Sequence, residues 1–190
     1  MDEIIIGSQV WANKNLNIAN FKNGDSIFEA KTNEDWVKAN LDGIPAFCFY
    51  NNDPIYGEVY GRLYNWFAVN DGRGLAPNGW EIPNSDDWEI LFQFLGGESI
   101  AGGKMKVIGS EFWRTMNDSS TNSSKFSALP GGERSEYGKF DFVNEYGRWW
   151  SKDDYNEQMA YSLKLNSFYP AAYFGTGKKH YGLSVRCIKH

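Results

Sequence analysis

Aromatic side chains make up 32 of the 190 residues: 8 Trp, 11 Tyr and 13 Phe. At roughly 150–250 Å² per ring they carry about 6,000 Å² of surface. A folded chain of this length exposes only about 9,000 Å² in total. Most rings must therefore lie inside, so the chain folds around a packed core and is not a disordered polymer.

Several function classes fall with little further argument. No apolar run approaches the roughly 20 residues of a membrane span. The opening Met1-Asp2-Glu3-Ile4-Ile5-Ile6-Gly7 is acidic, and its apolar stretch is too short for a signal peptide. A net charge of -5 with no basic stripe argues against nucleic acid, where phosphate neutralisation supplies much of the affinity. Two cysteines, Cys48 and Cys187, are too few for a disulfide scaffold and too far apart for a metal knuckle. The length suits one domain over residues 1–190, with residues 1–45 forming a hairpin and a helix packed on it.

Gly and Asn together number 38, and both tolerate the positive φ of tight turns, so many short elements joined by ordered loops are expected. Residues 4–6 and 9–11, separated by Gly7-Ser8, read as a hairpin with a type II′ turn. Thr32-Asn33-Glu34-Asp35 resembles a capping box opening a helix over 33–41, with Gly43 just past its end. A second helix follows Pro83, with Asn84 or Ser85 as cap and Asp86 and Asp87 in its first turn. Its Trp88, Leu91, Phe92 and Leu95 recur at helical spacing, and Gly96-Gly97 stops it. Residues 64–69 fit helix or strand equally. After residue 103 short strands and loops are predicted, with strands over 161–165 and 181–188 and a polar loop over 119–124. Gly102-Gly103-Lys104 and Pro130-Gly131-Gly132 read as turns beside strands. The fold class is α+β, with two main helices and a mostly antiparallel, loop-rich sheet.

The order of motifs points to a family. Ile6-Gly7-Ser8-Gln9-Val10-Trp11 is followed by Asn15-Leu16-Asn17, then by Tyr60-Gly61-Arg62-Leu63-Tyr64-Asn65-Trp66. Next come Leu75-Ala76-Pro77-Asn78-Gly79-Trp80-Glu81-Ile82-Pro83, Asp87-Trp88 and Leu95-Gly96-Gly97. Ala101-Gly102-Gly103-Lys104-Met105-Lys106 and Phe126-Ser127-Ala128-Leu129-Pro130-Gly131-Gly132 lie further on. The series ends with Gly147-Arg148-Trp149-Trp150-Ser151 and Gly182-Leu183-Ser184-Val185-Arg186-Cys187-Ile188. This ordered set resembles the Fibrobacter succinogenes major paralogous domain family, common in Fibrobacter and Bacteroidetes proteins. The resemblance implies a fold related to C-type lectins and to the formylglycine-generating group, and a secreted or cell-surface location. Many relatives carry extra cysteines where this chain has Tyr56-Gly57 and Ala76, and their Trp-Trp-Ser-Ser-Thr run becomes Trp149-Trp150-Ser151-Lys152-Asp153-Asp154.

Candidate functional residues concentrate late in the chain. Residues 137–181 hold 13 aromatics in 45 positions, against 19 in the other 145, so rings are about twice as dense there. Tyr and Trp stack on sugar faces and give rigid contact area at little entropic cost. In a C-type-lectin-like fold this stretch corresponds to the loops and late strands that present a ligand surface. The expected site is therefore Trp150, Lys152, Asp153, Tyr155, Tyr169, Tyr173 and Phe174, the rings stacking on a ligand that Asp153 and Lys152 orient. Trp149 and Trp150 face opposite sides of a strand, one of them in the core and the other a candidate for the surface.

Asp153, Asp154, Asn156 and Glu157 form an oxygen-rich cluster, and calcium is the one ion it suggests; the spacing lacks an EF-hand pattern, and a solvated loop is the plainer reading. Glu81-Ile82-Pro83-Asn84 suits a turn and helix cap rather than a sugar-calcium triplet. His180 and His190, the only histidines, read as surface residues. Cys48 and Cys187 are read either as a disulfide, in an exported protein, or as two buried thiols. Arg62, Arg134, Arg148 and Arg186 read as bridges to loop carbonyls and carboxylates. No catalytic signature is present, and no carboxylate pair stands out for glycoside hydrolysis. The reading is a non-enzymatic recognition module for a glycan or protein ligand at a bacterial surface. A structural or assembly domain is the alternative, and a carboxylate-based glycoside-active enzyme the remote one.

Overall fold

The computed structural model describes residues 2–114 and 120–189. It opens with the expected hairpin, β1 (Glu3–Ile6) and β2 (Gln9–Ala12), in which Gly7 takes φ 62° at the first turn position. After β3 (Phe28–Glu29), helix α1 (Asn33–Leu41) starts at a capping box. The Thr32 hydroxyl accepts from the Asp35 amide at 3.0 Å, and the Asp35 carboxylate accepts from the Thr32 amide at 3.1 Å. Then come β4 (Ala46–Cys48), a 3₁₀ turn (Tyr50–Asn52), α2 (Pro54–Tyr60), β5 (Leu63–Tyr64) and α3 (Trp66–Val69). The stretch that fitted helix or strand is divided by Asn65. Its Oδ1 accepts from the Ala46 amide at 2.9 Å and from the Ala68 amide at 3.1 Å, so one side chain ends the strand and caps the helix.

Helix α4 (Ser85–Phe94) begins at Asn84, reciprocally capped with Asp87, and turns Trp88, Leu91 and Phe92 inward. Helix α5 (Glu98–Met105) overturns the reading of Gly102-Gly103-Lys104 as a turn. The glycines are there because another segment crosses them: a Cβ on Gly102 would lie 2.5 Å from the Ala171 carbonyl oxygen. The Gly103 amide donates to the Pro170 carbonyl at 2.8 Å. Small residues thus mark a close crossing on the helix, not its end.

The remaining strands are β6 (Gly131–Arg134), β7 (Phe140–Val143), β8 (Tyr146–Asp154), β9 (Met159–Asn166), β10 (Ala172–Lys178) and β11 (Ile188–Lys189). Gly131-Gly132, expected in a turn, lies inside β6. Gly132 has φ 67°, and a Cβ there would meet the Asp141 carbonyl at 2.6 Å. The closing strand expected over 181–188 is also corrected: only Ile188–Lys189 is a strand. The segment before it threads between elements instead. Its Gly182 amide donates to Arg134, Leu183 to Tyr64, Ser184 to Arg148 and Ile188 to Glu81, while Val185 and Cys187 accept from Leu16 and Ala12.

The architecture is α+β. Small sheets run in the orders β1-β2-β11, β10-β9-β8, β3-β4-β5 and β6-β7, all antiparallel except the β3–β4 pair. Helices α2, α3 and α5 add to the two that local signals predict. No helix of the described residues is long and apolar enough to cross a membrane.

Strand β8 separates two cores. Trp149 joins Trp11, Trp88, Phe126 and Leu163 on one side, and Trp150 joins Trp80, Tyr64 and Leu183 on the other. Trp11, Trp66, Trp80, Trp88 and Trp149 are all buried, as their places in the motifs suggest. Arg134, Arg148 and Arg186 take the bridging roles expected of them, but Arg62 does not: its guanidinium lies over the Phe47 and Phe49 rings, with Nε and Nη1 buried and, among the described residues, unpartnered. Arg134, fully buried, donates to the carbonyls of Gly138, Ala30 and Thr32 at 2.7–3.1 Å and stacks on Trp36 and Phe140. Arg186 donates to the Ala12 and Phe126 carbonyls and to Asn15 Oδ1.

Candidate functional site

The sheet β10-β9-β8 carries its side chains on alternate faces. Tyr161, Leu163 and Leu165 of β9 share one face with Trp149 and Phe174, and this face packs on α4 and α5. The opposite face holds Arg148 and Trp150 of β8, Ser162 and Lys164 of β9, and Tyr173, Gly175 and Gly177 of β10. Because two of the three β10 positions on this face are glycine, the sheet is bare along its edge. A cleft of about 440 Å³ opens there.

The two glycines serve different ends. A Cβ on Gly177 would stand 2.9 Å from Arg148 Nη2 and 3.4 Å from the Trp150 ring, so glycine is what lets β10 close over them. A Cβ on Gly175 would meet nothing within 4 Å and would point into the cleft. Arg148 is held in the wall: it donates to Glu133 Oε2 at 2.7 Å and to Ser162 Oγ at 3.2 Å, with Tyr181 5.9 Å from its guanidinium carbon. Lys178, at the rim, pairs with Glu136 at 2.6 Å. That contact holds the Glu136 carboxyl below its usual pKa and raises that of Lys178. Lys164 lies between two rings, its Nζ 5.1 Å from the Tyr146 centroid and 5.9 Å from that of Tyr173. Among the described residues no carboxylate pairs with it.

Of the seven residues expected to form a site, only Tyr173 and Phe174 border this cleft, and the Phe174 ring lies on the opposite face, stacked on Tyr161. Trp150 is fully buried, its indole N–H donating to the Tyr64 carbonyl at 2.8 Å, because both faces of β8 are covered. It cannot touch a ligand. Asp153 Oδ2 accepts from the amide and the hydroxyl of Ser85, both at 2.6 Å. It caps α4 rather than facing a ligand. Lys152 reaches Glu81 at 3.4 Å on the surface. Tyr155 is exposed and edge-on to Tyr161 at 5.4 Å, and Tyr161 stacks on Phe174 at 5.6 Å, on the face opposite the cleft. Tyr169 is exposed in the loop before β10, and its carbonyl accepts from the buried Lys106 ammonium at 2.9 Å.

The oxygen cluster is also dispersed. Asp154 pairs with Lys179 at 2.7 Å while Asp153 serves α4 and Glu157 is solvated. Among the described residues no group of three or more His, Cys, Asp or Glu is placed to hold a metal ion. The disulfide alternative is not realised: Cys48 and Cys187 are free thiols buried in separate clusters. His180, expected at the surface, is half-buried, its ring 5.7 Å from Phe67; His190 lies outside the described residues, as does part of the 119–124 loop.

Arg148, Ser162, Lys164, Gly175, Gly177 and Tyr181 line the cleft and are not among the seven residues expected there. A period-two signal was present: small and polar side chains alternate in Tyr173-Phe174-Gly175-Thr176-Gly177 and in Tyr161-Ser162-Leu163-Lys164.

The chain belongs to the Fibrobacter succinogenes major domain family, which it matches over residues 4–189. No curated protein and no solved structure is found similar to it.

Proposed function

We propose that the chain is a non-enzymatic recognition module of C-type-lectin-like fold, displayed at a bacterial surface, that binds a glycan in the cleft over β8–β10. The observation that carries the reading is the bared sheet face: Gly175 opens a floor beside the Tyr173 ring, while Ser162 supplies a hydroxyl, Thr176 a backbone carbonyl, and Arg148 is held rigid by Glu133. A shallow cleft with a ring on one wall and fixed polar groups on the others suits a sugar, which offers an apolar face and a rim of hydroxyls. Preorganisation matters here, since side chains already held by the sheet lose little freedom on binding. The lectin-like assignment is supported by the motif order and by the small antiparallel sheets with few helices. Calorimetric titration against an oligosaccharide panel tests the reading, with Tyr173→Ala expected to weaken binding by about tenfold. Binding that Tyr173→Ala leaves unchanged overturns it.

A second reading, an assembly domain, draws on a different feature. Ile5, Ile90 and Phe94 are exposed apolar side chains, and the Phe94 ring lies against Gly7 of the β1–β2 turn. Such a patch favours self-association. Sedimentation over a wide concentration range decides: a monomer throughout removes this reading.

A further inference from the structure

We infer that the saccharide bound in this cleft is anionic, its carboxylate or sulfate group received by Lys164 between the rings of Tyr146 and Tyr173. The inference rests on the glycan reading above and adds the chemical class of the ligand. Three cations line the cleft, Arg148, Lys164 and Lys178, and no Asp or Glu lines it. Two of the three are already matched: Arg148 by Glu133 at 2.7 Å and Lys178 by Glu136 at 2.6 Å. Lys164 is not. Its strand register, opposite Tyr173 on one side and Arg148 on the other, sets it in the middle of the sheet, where it is half-buried.

The rings of Tyr146 and Tyr173 stand beside the Lys164 ammonium and take the place of part of its water. The rings attract the charge but accept no strong hydrogen bond, so the three N–H donors of Lys164 still need oxygen partners. An anionic oxygen entering the cleft meets that need and gains a charge-assisted bond. The two rings also fix the ammonium laterally, which sets where a charged substituent must sit relative to a sugar face on Tyr173.

The test is calorimetric titration of the folded chain with hexagalacturonate, with its fully methyl-esterified form, and with a sulfated chondroitin hexasaccharide, at low and high ionic strength. The acid is expected to bind about tenfold more tightly than its ester and to weaken with salt. Lys164→Gln should remove that preference, Lys164→Arg should keep most of it, and Lys38→Gln, on α1, should change nothing. Comparison of the uronate and sulfate arms shows which anion the site takes. Acid and ester binding alike, both weakened by Tyr173→Ala, overturn the anionic inference and leave the glycan reading standing. No binding by any of the three, with the variants' unfolding midpoints unchanged, sinks the anionic inference; the glycan reading is then judged by the wider panel.

Discussion

Trp149 and Trp150 are neighbours in β8, yet their indole N–H groups are held by residues on opposite sides of the sheet. Trp149 donates to Asn15 Oδ1 at 2.8 Å, an oxygen that also receives Arg186, and Trp150 donates to the Tyr64 carbonyl at 2.8 Å. The peptide bond between them therefore ties two separate cores together. Removing either ring opens a cavity that both the strand and a distant loop must absorb.

Trp150→Ala is expected to cost about 3–5 kcal/mol, the range for deleting a large buried ring. Tyr155→Ala, at a side chain more than half exposed, should stay within about 0.5 kcal/mol. Urea unfolding followed by circular dichroism separates them. A loss below about 1 kcal/mol for Trp150→Ala would contradict its place in the core.

Asp153→Ala should destabilise by about 1 kcal/mol through the start of α4, because Ser85 loses the acceptor of both its amide and its hydroxyl. Asp153→Asn should recover part of that loss. Binding of any cleft ligand should be untouched in both, which thermal unfolding and titration read independently. A binding defect without a stability defect would return Asp153 to the ligand surface.

Gly175→Val should fold as well as the parent or better by a few tenths of a kcal/mol, since the position is extended, unobstructed and favourable to a β-branched side chain. The same change fills the cleft floor and should abolish ligand binding. Gly177→Ala, by contrast, pushes against Arg148 and Trp150 and should cost about 1–3 kcal/mol. Thermal melts and titrations of the two variants check both halves.

Burial pushes the Cys48 thiol up to about 11 and the Cys187 thiol up to about 12, from an ordinary 9.0. Both stay protonated in the fold where the unfolded chain would ionise. Their contribution is complete below pH 9 and is lost as pH rises through 11 to 12. Lys106 opposes this: burial lowers it to about 8 from 10.5, so the unfolded chain binds more protons in that window and the lysine's contribution grows with pH. The wild type should lose stability above pH 9, and Cys48→Ala combined with Cys187→Ala should reduce the loss between pH 9 and 10, below the range where Tyr50, Tyr60 and Tyr64, also raised by burial, add to it. Urea midpoints across the alkaline range measure it.

Elements whose causes are local could be read directly. Thr32 with Asp35, and Asn84 with Asp87, are capping pairs three residues apart, so neighbouring chemistry alone announces α1 and α4. Features caused by distant segments could not. Gly102-Gly103 looks like a turn until the 170–171 backbone is laid across it, and Trp150 looks available until Tyr64 and Leu183 cover its side of the sheet. Asp153 went astray for the same reason, since its partner Ser85 lies 68 positions away. The density of rings found the right region, but the cleft is made by what β10 lacks at Gly175 and Gly177 rather than by the rings themselves.

The threading of residues 182–188 through the molecule bears on how the protein comes to be made. Backbone bonds of that segment reach residues 12, 16, 64, 81, 134, 148 and 150, so the strands and loops around both cores are joined only once it is in place. A chain emerging from the ribosome would hold its two cores open until nearly the last residue of this segment is free, then close in a late step dominated by long-range contacts. Nascent chains of this domain should therefore lean on chaperones for most of their synthesis.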